Sequence, residues 1–158
     1  MKIFPTKNYK LDCIDNPEKS IQVLKLNTLE SDRLSTTSTD KEFIGIINAN
    51  HFEIISSDVG IGAFTVVRGE LLKDSINVVV TINKPFKVLI TLLFVFGIGG
   101  ISYNVFKIGF PRTIGMLIPL LMFVGFLRFV FLGLLFNRSV DLFLEKFSRI
   151  VNVEITQM

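Results

Sequence analysis

Residues 88–137 carry three basic residues, Lys107, Arg112 and Arg128, and no acidic residue at all. A folded surface in water normally intersperses both signs of charge, so this block constrains the chain more than any other feature. Residues 88–106 (VLITLLFVFGIGGISYNVF) run nineteen positions without a charge. That meets the roughly 20-residue length a helix needs to cross a hydrocarbon core about 30 Å thick. Residues 114–136 form a second stretch of twenty-three, broken only by Arg128. Between them, residues 107–112 hold Gly109 and Pro111, which punctuate a turn. In a chain of 158 residues, too little polar material remains to cover two such helices on every side. The block therefore predicts a transmembrane hairpin with spans 88–106 and 114–136.

The rest of the chain is electrically balanced. Residues 1–42 hold seven basic and seven acidic residues, residues 43–87 four and four, and residues 138–158 three and three. The whole net charge of +3 lies in the apolar block. A nucleic-acid footprint needs Lys and Arg clustered on one accessible face, and no polar segment offers an excess, so nucleic acid is not an expected partner. One cysteine, Cys13, excludes a disulfide framework and reads as a free thiol. The first residues lack an apolar signal-peptide region, so no cleaved leader is expected. Two basic residues sit in the turn, against Lys73, Lys84, Lys87, Arg138, Lys146 and Arg149 on the flanks. By the positive-inside rule both termini face the cytoplasm, in a multi-pass protein of the cell inner membrane.

The polar parts read as an α+β unit. Residues 43–48 and 52–56 are β-rich runs around Asn50, and residues 64–72 and 76–82 form a second hairpin. Ile76, Val78, Val80 and Ile82 alternate with polar or outward positions. Residues 20–26 offer a further strand, and residues 28–42, rich in Ser and Thr, read as a linker. Residues 139–152 place Val140, Phe143, Leu144, Phe147, Ile150 and Val151 on one helical face, with Ser139 as N-cap and Asp141 in the first turn. The polar face of that helix mixes charges, which favours packing on a sheet over lying on a membrane surface. The expected architecture is thus an α+β membrane protein. It comprises an N-terminal segment 1–42, antiparallel hairpins 43–87, a two-helix hairpin 88–137 and an amphipathic helix within 138–158 that packs on a small antiparallel sheet.

Phe43-x-Gly45-x-Ile47-x-x-Asn50-x-Phe52-x-Ile54, then Arg68-Gly69-Glu70-Leu71, two spans and a terminal helix resemble a loose group of small bacterial two-span membrane proteins. The order of strands followed by a helix is also similar to a pleckstrin-homology-like module, as an analogy of fold. The resemblance covers residues 43–151 and implies no functional residue.

Arg128 is the costliest residue to place, at about 2.5 kcal/mol or more on insertion scales. Asn137 follows nine positions later, which puts Arg128 about 13 Å from the inner end of a helix ending there. Its functional reading is a contact to a pore, a substrate or another subunit. The structural alternative is a snorkelled side chain bonding lipid phosphate or Thr91. Gly97 and Gly100, and Gly125 and Gly133, give small-residue faces on the two spans, suited to close helix approach within the hairpin or in a homo-oligomer. Ser102, Tyr103 and Asn104 are candidates for bonds across helices. His51 reads as a turn residue, and Arg68, Glu70 and Glu53 as a solvated charge set. No nucleophile–base pattern, metal-ligand spacing or phosphate loop occurs, so no catalytic residue, metal or cofactor is expected. The expected role is a non-enzymatic, membrane-anchored interaction or accessory module, its contacts being membrane lipid and a protein partner or second copy. The competing reading is a subunit of an oligomeric transporter or pore with Arg128 facing the path.

Overall fold

The computed structural model describes residues 4–13, 17–48, 50–72, 75–108 and 110–157. The chain divides into two compact units, one of residues 1–83 with 136–158, the other Lys84–Leu135.

The first unit is a seven-stranded sheet covered on one face by two helices. Its strands are β1 (Thr6–Cys13), β2 (Thr28–Glu30), β3 (Phe43–Ile47), β4 (His51–Ser56), β5 (Thr65–Leu71), β6 (Ser75–Ile82) and β7 (Val153–Gln157). They lie in the order β2-β3-β4-β5-β6-β1-β7. The meander β3 to β6 is the pair of hairpins that alternating hydrophobicity foretells. Sequence reading misses β1, which inserts beside β6, and β7, which pairs antiparallel with β1 from Cys13↔Val153 to Tyr9↔Gln157. β1 is eight residues long but mostly polar, with Tyr9 and Leu11 its only large apolar residues, and β7 is five residues long.

Three expectations are corrected. The sheet is mixed, not wholly antiparallel, because β2 pairs in parallel with β3. Residues 20–26 are not a strand but part of helix α1 (Pro17–Leu26). Alternation and helical spacing overlap in that run. The decision falls to end chemistry, with Pro17 at the first position, Glu18 in the first turn and Lys25 in the last. Asn27 Nδ2 and Thr28 Oγ1 then donate to the carbonyls of Val23 and Leu24, closing the helix C-terminus. The 28–42 segment is not purely linker, since it opens with β2.

The C-terminal helix differs as well. No helix starts at Ser139. Helix α2 (Lys84–Ile108) is followed by α3 (Phe110–Phe126), a π-helical stretch Leu127–Leu135, and α4 (Phe136–Val151), the last three contiguous along the chain. Nothing between 126 and 136 breaks the helix; Pro119 lies inside α3. The added winding of 127–135, with i→i−5 bonding, absorbs a change of phase without ending the helix. Helix α4 stops where Asn152 takes φ +56° and its N–H bonds the Ser148 carbonyl, a left-handed terminus that Asn tolerates. Residues 153–157 then become β7.

Helix α4 builds the core. Phe136, Ser139, Val140, Phe143, Leu144, Phe147 and Val151 form its buried face. Phe143 lies 5.3 Å from Phe43, and Phe147 stacks on Phe52 at 5.9 Å and on Phe143 at 5.7 Å, centroid to centroid. Gly69 makes room for this cluster, because a Cβ there would overlap the Phe52 ring. Gly69→Ala is expected to lower stability by about 1–3 kcal/mol through overpacking, read from denaturant unfolding of the detergent-solubilised chain. In α1, the Ser20 hydroxyl is buried with no hydrogen-bond partner among the described residues. Ser20→Ala should therefore leave stability unchanged or raise it by up to about 1 kcal/mol in the same assay.

Candidate functional site

The apolar helices present their side chains outward. Helix 84–107 has only 6% of its most apolar window buried, and helix 118–151 only 12%. A core helix of a soluble protein would be mostly covered. Val88, Leu92, Val95, Phe96, Ile98, Phe106, Leu121, Met122, Phe126 and Phe129 are all exposed. Four polar residues of α2 bond within their own helix. Thr91 Oγ1 donates to the Lys87 carbonyl, Asn104 Nδ2 to the Gly100 carbonyl, both at 2.8 Å. Lys107 Nζ donates to the Tyr103 hydroxyl at 3.2 Å and lies over its ring. Thr91, Tyr103 and Asn104 thus bond within α2, where the residue pattern suggested partners across helices. Back-bonding to the i−4 carbonyl is how such groups are satisfied away from water.

The glycines separate. A Cβ on Gly97 would come within 3.2 Å of Leu120 Cδ1, so Gly97 marks the close approach of α2 and α3. Gly99, Gly100 and Gly125 have open space where a Cβ would be. The position of a Cβ on Gly133 is 3.8 Å from the Arg128 carbonyl, its neighbour one π-turn back. Arg128 is exposed, at the second position of the π stretch. The helix does not end at Asn137 but continues to Val151. The Arg112 side chain, Gly109 and the Cys13 thiol lie outside what the structure describes.

Within the sheet unit, a buried polar set gathers around residues 61–65. Asn83 is the residue before α2, and Ser139 lies in the first turn of α4. Residues 61–65 receive both. The Asn83 N–H donates to the Phe64 carbonyl at 2.9 Å. Its side-chain amide donates to the carbonyls of Ala63 and Leu34, each at 2.9 Å. The Ser139 hydroxyl shares a hydrogen bond with the Thr65 hydroxyl at 2.8 Å and donates to the Ile61 carbonyl at 3.4 Å. Thr65 is 1% exposed, and Asn83 and Ser139 are 4%, so water cannot replace these bonds. Sequence reading assigned Ser139 to a cap and passed over Asn83 and Thr65. One signal was present: Ser139 stands four residues before Phe143, on the apolar stripe of α4.

A second cluster ties α4 to the end of the β3–β4 hairpin. Lys146 Nζ lies 2.8 Å from Asp58 Oδ1, 3.0 Å from Glu42 Oε2 and 3.3 Å from Ser56 Oγ, and the Ser56 hydroxyl donates to Asp58 Oδ2 at 2.7 Å. Burial pushes the Asp58 carboxyl up, but hydrogen bonds from Lys146 and Ser56 and the Lys146 charge outweigh it, and its pKa ends below the usual value. Burial pushes Lys146 down, but bonds to Asp58 and Glu42 and their charges hold its pKa above the usual value. The Asp58 contribution is complete above the ordinary carboxylate range and is lost as pH falls through its depressed value. The Lys146 contribution is complete below the ordinary ammonium range and is lost as pH rises through its elevated value. The clasp is therefore closed across neutral pH.

Among the described residues, no three His, Cys, Asp or Glu side chains are placed to hold a metal ion. No known protein family, curated protein or solved structure matches the chain.

Ser139→Ala should cost about 1–3 kcal/mol, because it strands the buried Thr65 hydroxyl. Ser139→Ala with Thr65→Val should cost less than the sum of the single changes in a double-mutant cycle. Lys146→Met should lower stability by about 1 kcal/mol at neutral pH, since both carboxylates can rehydrate. That difference should vanish when pH drops below the ordinary carboxylate range, as followed by pH-dependent unfolding.

Proposed function

We propose that the chain is a two-span integral membrane protein of the cell inner membrane, both termini cytoplasmic, that acts as a non-enzymatic anchored interaction module. The observation that carries this reading is the bareness of the two apolar helices, together with the bonding of Thr91, Tyr103, Asn104 and Lys107 within α2. Exposed apolar surface on this scale is unfavourable in water and neutral in hydrocarbon. The six flanking basic residues against two in the turn support the orientation.

The sheet unit supplies the interaction surface. Its uncovered face bears His51, Glu53, Arg68, Glu70, Asn77 and Val79 around a shallow concavity. Arg68 pairs with Glu53 across β4 and β5 at 2.7 Å, a half-exposed pair typical of a solvated face. Loop 57–62 offers Val59, 86% exposed beside Gly60 at φ +98°. An apolar side chain at the tip of a loop held by Asp58 and Lys146 is a fitting contact for a protein partner.

The chain should resist alkaline carbonate extraction from membranes and be released by detergent; release by carbonate alone would end the membrane reading. A membrane-impermeant maleimide should label Lys107→Cys from outside intact cells and label Thr37→Cys only after lysis, both in a Cys13→Ser background. Mild-detergent purification with intact-mass measurement should show a stoichiometric protein partner. Ion flux in liposomes abolished by Arg128→Leu would instead favour the pore reading.

A further inference from the structure

We infer that residues 28–42 form a latched strap over an apolar patch on the outer face of the sheet, and that Asn83, at the root of α2, is the latch. The outer face is polar around His51, Glu53, Arg68 and Glu70, yet three of its residues, Ile44, Ile55 and Val66, are 0–2% exposed. Helices α1 and α4 cover the other face, so they do not bury these side chains. The cover comes from Leu29 and Leu34 of the strap and from Ala63.

The strap opens with β2, paired to β3, and is closed at its base. The N–H groups of Glu42 and Phe43 both donate to the Asn27 carbonyl at 3.1 Å, and Lys41 Nζ donates to the Leu26 carbonyl at 2.8 Å. This is the geometry of a compact surface loop whose ends meet. Between the ends the sequence is Leu34-Ser35-Thr36-Thr37-Ser38-Thr39-Asp40, which brings one large apolar side chain to the patch. The bond from Asn83 Nδ2 to the Leu34 carbonyl holds that residue down. The second amide hydrogen of Asn83 holds Ala63, on the other side of the patch. One buried amide therefore pins two of the groups that cover Ile44, Ile55 and Val66.

Asn83 is joined by a single peptide bond to Lys84, the first residue of α2. A shift of that first turn moves the latch directly. Releasing the Leu34 carbonyl leaves the strap attached at its base and exposes a sheet surface that is otherwise sealed. The latch rests on contacts inside the sheet unit alone. Its control by the helix rests on the membrane reading proposed above.

Hydrogen exchange with mass spectrometry on the purified full chain in detergent tests the latch. Asn83→Leu should speed exchange in residues 31–42 roughly tenfold, the loss expected for the one hydrogen bond to Leu34, while β1 and β6 exchange at the wild-type rate. Leu34→Ser should produce the same local pattern with Asn83 intact, and decides the matter if Asn83→Leu does not fold. Equal acceleration throughout the sheet, or none in 31–42, overturns the latch. Coupling is tested in vesicles of short- and long-chain lipids, which change helix tilt. Strap exchange should differ between the two vesicles for the wild type and not for Asn83→Leu. Equal rates in both vesicles for the wild type overturn the coupling, whereas carbonate release would overturn the membrane reading separately.

Discussion

A segment inserted into a folded sheet must leave and return without opening the core, and in this chain that requirement falls on residues 61–65. The strand that follows, β5, is pinned at its first residue to α4 by the Thr65–Ser139 pair, while Phe64 and Ala63 hold Asn83. Both ends of the insertion are thus bonded to one short stretch of backbone. The arrangement lets a long apolar excursion interrupt the chain between β6 and α4 while the two remain parts of one unit. It also explains why polar side chains are buried there. Each end of the insertion breaks the regular ladder, and the freed carbonyls of residues 61, 63 and 64 need donors.

The aromatic core depends on that closure. Phe143 and Phe147 reach Phe43 and Phe52 only because α4 returns across the sheet at a set height, and Ser139, one turn before Phe143, sets it. The Lys146 clasp holds the same helix further along, to the loops flanking β3 and β4. Three successive turns of α4 are therefore registered by a buried hydroxyl pair, an aromatic cluster and an ionic group, each anchored on a different part of the sheet. The anchor sequence also keeps α4 in place whatever the winding of the π stretch before it.

Much of this was legible in the residues. The apolar hairpin, the two central β-hairpins and the buried stripe of α4 follow from periodicity and from the distribution of charge. Less was legible where two patterns overlap or where a run is short. Residues 20–26 satisfy both strand alternation and helical spacing, and the end chemistry from Pro17 and Glu18 to Lys25, Asn27 and Thr28 decides for α1. Strand β1 is mostly polar and β7 is short, and both are defined by their pairing, β1 with β6 and β7 with β1. Ser139 reads as a helix start because Ser is a favoured N-cap, but it lies inside α4, which continues from the Leu127–Leu135 stretch. The glycines show the same limit: Gly97 and Gly100 share a spacing, yet Gly97 faces Leu120 and Gly100 faces open space.

By itself the sequence determined the division of the chain into balanced polar segments and an acid-free apolar block, because hydropathy and charge act locally and add along the chain. It determined which strands alternate and which face of α4 is apolar for the same reason. Only the tertiary structure decided that β1 sits between β6 and β7, that β2 runs parallel to β3, and that Asn83, Thr65, Ser139 and Lys146 become the fastening points. Those outcomes depend on which backbone groups are left unpaired once the sheet has closed. That is a property of the assembled sheet and of no single stretch of residues.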